Sequence, residues 1–126
     1  MNAPERFHIA DGYAIYRPIA NVSLQEAISL VSRAIIFAKN HQVRRLLVNT
    51  KKLTGFGPIG ALDRYTMGEQ FANAGWFSVR LAVVARAELI DPQRFGVTVA
   101  RNRGLDVDVF TSEAKALAWL LDLKAT

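Results

Sequence analysis

Residues 55–60 read GFGPIG, which fits the G-x-G-x-x-G spacing of a strand-to-helix turn that approaches a dinucleotide pyrophosphate. In that chemistry the glycines let the backbone come close to phosphate, and free amides at the helix start donate to it. The surrounding residues count against it. Thr50–Thr54 intervene between the apolar strand and Gly55, Pro58 removes an amide donor, and Arg86 ends the next strand, where a ribose-binding acid belongs. A second mononucleotide-binding half is missing as well. No cofactor is expected.

Other catalytic patterns are absent from the sequence. It has no G-x-S-x-G elbow, no H-E-x-x-H and no G-K-S/T of a phosphate loop. Two histidines, His8 and His41, stand apart, and with no cysteine there is no second soft ligand for a metal. Asp106 and Asp108 share one face of a strand, but a working acid and base would need an apolar pocket to push their pKa values apart, and a solvated face explains them. The expectation is a non-enzymatic protein.

What remains is binding. In an open α/β sheet ligands sit beyond the carboxyl ends of the strands. That places candidates in two loops: Lys51, Lys52, Thr54, Gly55 and Gly57 in Thr50–Pro58, and Arg86 with Glu88 in Arg86–Asp91. Basic side chains beside two helix starts suit a small anionic ligand or an acidic face of a protein partner. The competing reading is an ordinary basic surface.

Composition sets the frame for those loops. The 126 residues fit a single domain, and an apolar share of 51% with 21% charged residues can build a core along the whole chain. The net charge of +5 favours anionic partners in general, but Lys and Arg occur in no run longer than the pairs Arg44-Arg45 and Lys51-Lys52, which argues against nucleic acid as a partner. The absence of cysteine, of an apolar leader in MNAPERFHIADG and of any membrane-length apolar window predicts a cytoplasmic protein without a transmembrane segment.

The elements that position the loops follow from periodicity. FHIA-DG-YAIYRP predicts an antiparallel hairpin around Asp11-Gly12, and Ser23 with Glu26 predicts a capping box opening a helix. That helix carries a stripe of Leu24, Ala27, Ile28, Val31, Ile35 and Ala38, and a second apolar series, Leu30, Ala34 and Phe37, free to meet another helix or a partner. LLV at 46–48 and LAVV at 81–84 predict strands buried on both faces and lying parallel. Pro58 predicts the first turn of a second helix. Asp91 as N-cap, Pro92 at the first position and Gly104 as stop predict a third. DVDVF predicts a last strand, and Ser112 caps a final helix with Ala114, Leu117, Ala118 and Leu121 facing inward. The resulting order is ββαβαβαβα, an α/β fold with a mostly parallel sheet and an antiparallel edge hairpin.

With that order, RLLVNTKKLTGF and VRLAVVARAELIDPQRFGVTVARNRGLDVDVFTSEAKALAWLL resemble the STAS superfamily, the fold of sulfate-transporter and anti-sigma-factor-antagonist domains, in particular its small bacterial SpoIIAA-like members. The resemblance covers most of the chain and implies a sheet of about five strands with about four helices. It also implies a binding role, since relatives bind nucleotides, lipids or partner proteins at the same loops. The antagonists are switched by phosphorylation of a serine at the start of the second helix. Gly57-Pro58-Ile59-Gly60 stands there, so the switch is not carried over, and Thr54 is a poor, earlier substitute. An alternative role is a homodimer or a peripheral lipid-binding protein using Leu30, Ala34 and Phe37, or Trp76 and Phe77 with neighbouring Arg80.

Overall fold

A computed structural model describes residues 3–122. The hairpin forms as the sequence predicts. Strand β1 (Phe7–Ala10) pairs antiparallel with β2 (Tyr13–Tyr16), and Gly12 takes a φ of +82° that a side chain would resist. After a short extended segment, β3 (Ala20–Asn21), helix α1 (Leu24–Asn40) opens on the expected capping box: Ser23 Oγ accepts from the Glu26 amide and Glu26 returns the bond to the Ser23 amide.

The remaining elements are β4 (Arg45–Asn49), β5 (Leu53–Thr54), α2 (Ala61–Gly75), β6 (Arg80–Val84), a 3₁₀ turn (Ala87–Leu89), α3 (Phe95–Asn102), β7 (Asp106–Phe110) and α4 (Glu113–Leu120). Five strands form one sheet in the order β1-β2-β4-β6-β7, parallel except for the hairpin. The two apolar strands at its centre lie side by side in one direction, with Leu46 opposite Leu81 and Val48 opposite Val83. A parallel ribbon of β3 and β5, Ala20 against Leu53 and Asn21 against Thr54, adds a piece that two-residue strands gave no periodicity to reveal.

Helices α1, α2 and α3 cover one face, where Ile35, Leu46, Val48 and Leu81 are wholly buried; α4 covers the other with Ala116 and Leu120 against Leu47, Ala82 and Val84. Burying such side chains contributes roughly 1.5 to 3 kcal/mol each. The pair Ala34 and Phe37 is not a free face: both are buried, and Phe37 meets Phe7 edge-on at 5.1 Å, so the hairpin strand covers what the sequence left open.

Three helix boundaries and faces differ from the sequence expectation. Pro58 lies outside α2, whose N-cap is Gly60, so GFGPIG is entirely loop. Helix α3 begins at Phe95 rather than Pro92, because Asp91 accepts from the Gln93 and Phe95 amides (3.1 and 2.9 Å) and Arg94 takes a left-handed φ of +53°. In α4 Ala116 and Leu120 face inward and Ala114 is exposed. Arg45 Nη1 and Arg80 Nη2 donate to the Leu120 and Trp119 carbonyls at its carboxyl end (3.2 and 2.7 Å), anchoring the helix in that rotation.

Candidate functional site

Burial along the parallel strands is uneven. On the face toward α1, α2 and α3, Leu81 of β6 is wholly buried while Val83, two residues on, is only half-buried; Val107 and Val109 of β7 repeat the step. A central strand is ordinarily sealed along its length. Here the carboxyl halves of β6 and β7 floor a cavity of about 130 Å³.

Its walls come from elements distant in sequence. Leu24 and Ile28 enter from α1, Met67 and Phe71 from α2, and Val97 and Ala100 from α3. Met67 and Phe71 are half-buried, so the cavity opens to solvent rather than lying sealed in the core. The α2–α3 wall is closed by glycine: a Cβ on Gly68 would lie 2.7 Å from the Gly96 carbonyl oxygen, and one on Gly96 would lie 3.1 Å from the Arg64 oxygen.

GFGPIG has a different role from the one its spelling suggests. Gly55 has a φ of +105° and packs so closely on the ribbon that a Cβ would come within 2.5 Å of the Val22 carbonyl oxygen. The turn this permits sends Phe56 and Ile59 over the cavity. Gly55 thus folds an apolar cover.

The sequence-predicted residues divide into two groups. Lys51 and Lys52 are exposed and do not line the cavity; the Lys51 amide donates to Asn49 Oδ1 (3.0 Å) and the Lys52 carbonyl accepts from the Ala20 amide (3.3 Å). Thr54 is also exposed and is held by the ribbon, its carbonyl accepting from the Val22 amide at 2.7 Å. Gly57 is exposed, and a Cβ there would meet no atom within 4 Å. Arg86 does connect the two loops: its Nη2 donates to the Leu53 carbonyl (3.3 Å), while its Nε lies 4.0 Å from Glu88, an ion pair without a hydrogen bond. The two loops are therefore neighbours, as expected, but their basic residues form a rim outside the cavity.

Polar groups that line the cavity itself are Thr50, Arg64, Asp91 and Arg94. Thr50 Oγ1 donates to the Val84 carbonyl (2.8 Å). Arg64 reaches from α2 to both loops, with Nε to the Ile59 carbonyl and Nη2 to the Leu89 carbonyl (3.1 and 3.0 Å). The Phe95 amide, and then that of Gln93, hold Asp91 below the usual carboxylate range. Arg94 Nη1 bonds Asp108 and the Val109 carbonyl. Arg64 and Arg94 had no sequence signal, because an arginine inside a helix or turn reads as surface; the hint was the Gly68/Gly96 pair that brings α2 and α3 together.

The remaining candidates resolve into structural roles. His41 ends α1, its Nδ1 2.9 Å from the Phe37 carbonyl and its ring stacked on Phe37 at 4.0 Å; His8 is exposed on β1. Asp106 pairs with Arg80 (2.7 Å), and Asp108 with Arg94 and Arg101. No group of three histidine or carboxylate side chains among the described residues could hold a metal, and no helix there is long and apolar enough to cross a membrane. Trp76 and Phe77 are exposed side by side at the end of α2, while Arg80 is turned away onto the Trp119 ring, 3.7 Å from its centre. Comparisons with protein-family models, curated proteins and solved structures find no match to this chain.

Proposed function

We propose that the chain is a STAS-like, non-enzymatic binding module that holds a small ligand in the cavity above Val83, beneath the Thr50–Pro58 loop and beside Arg86–Asp91. Half-burial of Val83 on a central strand is the observation that carries this reading, since packing alone would seal that position. A concave, mostly apolar space with a few polar groups at its rim is the usual form of a small-molecule site. A volume of about 130 Å³ approaches that of engineered cavities that take up benzene, so the part of the ligand inside has on the order of six carbons. The basic rim of Lys51, Lys52 and Arg86 favours a ligand with negative charge, and an acidic partner protein resting on the same loops would be steered by the same field. The concave, mostly apolar shape favours the small ligand over the protein.

A homodimer or lipid-surface role finds less support. Ala34 and Phe37 are covered, leaving Trp76 and Phe77 as exposed aromatic surface. The test is methyl-labelled NMR with benzene as probe. Wild-type shifts at Val109 and Met67 that disappear in Val83→Phe support the reading; a wild-type spectrum unmoved by saturating benzene overturns it. Lys51→Ala with Lys52→Ala is expected to leave the benzene shifts in place, because those lysines lie outside the cavity.

A further inference from the structure

The polar groups at the cavity mouth are arranged unequally, and the inequality bears on what the ligand carries. Arg94 spends Nη1 on Asp108 and the Val109 carbonyl, and its Nε and Nη2 have no hydrogen-bond partner among the described residues. Those two nitrogens form the edge of a guanidinium that takes a carboxylate as a two-pronged fork. Arg64 is complementary: Nε and Nη2 are used on the two loops, and Nη1 has no partner among the described residues. Both arginines line the same cavity. Asp91 bonds neither of them: one of its oxygens accepts from the Gln93 amide and the other from the Phe95 amide, and Arg64 acts on it only through its charge. Thr50 Oγ1 has given its proton to the Val84 carbonyl and offers none to an anion.

Charge then limits the anion. Among the side chains that line the cavity itself, Arg64 and Arg94 stand against Asp91, leaving one spare positive charge, while Lys51, Lys52 and Arg86 lie outside it. One unit suits a monoanion; a phosphate monoester brings close to two negative charges and would need more donors. The apolar floor of Val83, Val107 and Val109 sets the other end of the ligand.

We infer that the cavity takes a small organic monocarboxylate, a ring or short alkyl chain lying over Val83 with its carboxylate held by Arg94 and Arg64. This rests on the binding reading above and specifies its ligand class. Arg94 is exposed, so its bond to the carboxylate is made at a solvent-facing mouth while the ring or chain lies on the apolar floor. Selectivity for acid over the isosteric alcohol is the expected signature.

The experiment is calorimetric titration of hexanoate and benzoate against hexanol and benzyl alcohol, with wild type, Arg94→Gln, Arg64→Gln and Val83→Phe. The acids are expected to bind roughly ten-fold or more tightly than the alcohols, the worth of a charge-assisted pair. Each arginine variant should narrow that ratio while leaving alcohol affinity in place, an outcome that simple loosening of the loops would not produce. Val83→Phe should remove both ligand types. Equal affinity for acid and alcohol in the wild type, or an unchanged ratio in both arginine variants, overturns the inference. Benzene shifts without hexanoate or benzoate binding overturn it while the cavity reading stands; if benzene also leaves the spectrum unmoved, both fall.

Discussion

Glu113 illustrates how single residues hold the end of the sheet nearest the cavity. Arg17 grips its carboxylate with Nε and Nη2 (2.8 and 2.9 Å), and Asn49 Nδ2 donates from the end of β4 (2.8 Å). The Arg17 hydrogen bonds, opposed by partial burial and aided by Asn49, pull the Glu113 pKa down from 4.5 to about 2. A folded-state pKa below the ordinary value means stability that is present above about pH 4.5 and is lost as pH falls toward 2. Acid titration of the unfolding free energy should therefore decline through that window, and Glu113→Gln should flatten the decline. The change at neutral pH should be no more than about 1 kcal/mol, because Arg17 is nearly half exposed and such pairs are screened. An identical acid profile in the variant would show that the grip does not persist in solution.

Among the elements, the contact of α2 with α3 decides where the cavity ends. Alanine is a better helix former than glycine by about 1 kcal/mol, so propensity alone says Gly68→Ala stabilises. Packing says the reverse: the new methyl would lie 2.7 Å from the Gly96 carbonyl oxygen, which is backbone and cannot step aside. Overpacking of this kind costs about 1 to 3 kcal/mol. Chemical denaturation should show Gly68→Ala losing stability, whereas Gly57→Ala, where a Cβ would meet no atom within 4 Å, should change little. A stabilised Gly68→Ala would mean that the helices stand further apart. Arg101 of α3 and Arg94 at its N-cap also close an edge of the sheet, with Arg101 Nε and Arg94 Nη1 donating to the Val107 and Val109 carbonyls of β7 (2.9 and 3.1 Å).

How far these elements were legible depends on how local their causes are. The hairpin, the capping box of α1 and the two central strands carry their signals in adjacent residues, and the mostly parallel sheet follows from βα alternation. The rotation of α4 was not legible, because apolar residues occur on almost every side of EAKALAWLL and the deciding contacts come from Arg45 and Arg80, far back in the chain. Nor was the start of α3, where Asp91 makes a turn before it makes a cap. For the candidate site, the loops were found from strand polarity and the lysines from charge. The cavity was hidden because Leu24, Phe56, Met67, Val83 and Val97 each read as ordinary core residues.

At the scale of the molecule, the sheet is sealed where its strands begin and open on one face where β6 and β7 end, under a cover built from GFGPIG. That opening is the central claim, and Val83→Ile tests it most directly, since it adds one methylene toward the cavity and keeps the β-branch that the strand favours. Above an open cavity the extra group finds room, and denaturant unfolding should show stability unchanged or raised by up to about 1 kcal/mol. In a packed core the same methylene forces a clash, and a loss of about 1 kcal/mol or more would contradict the account.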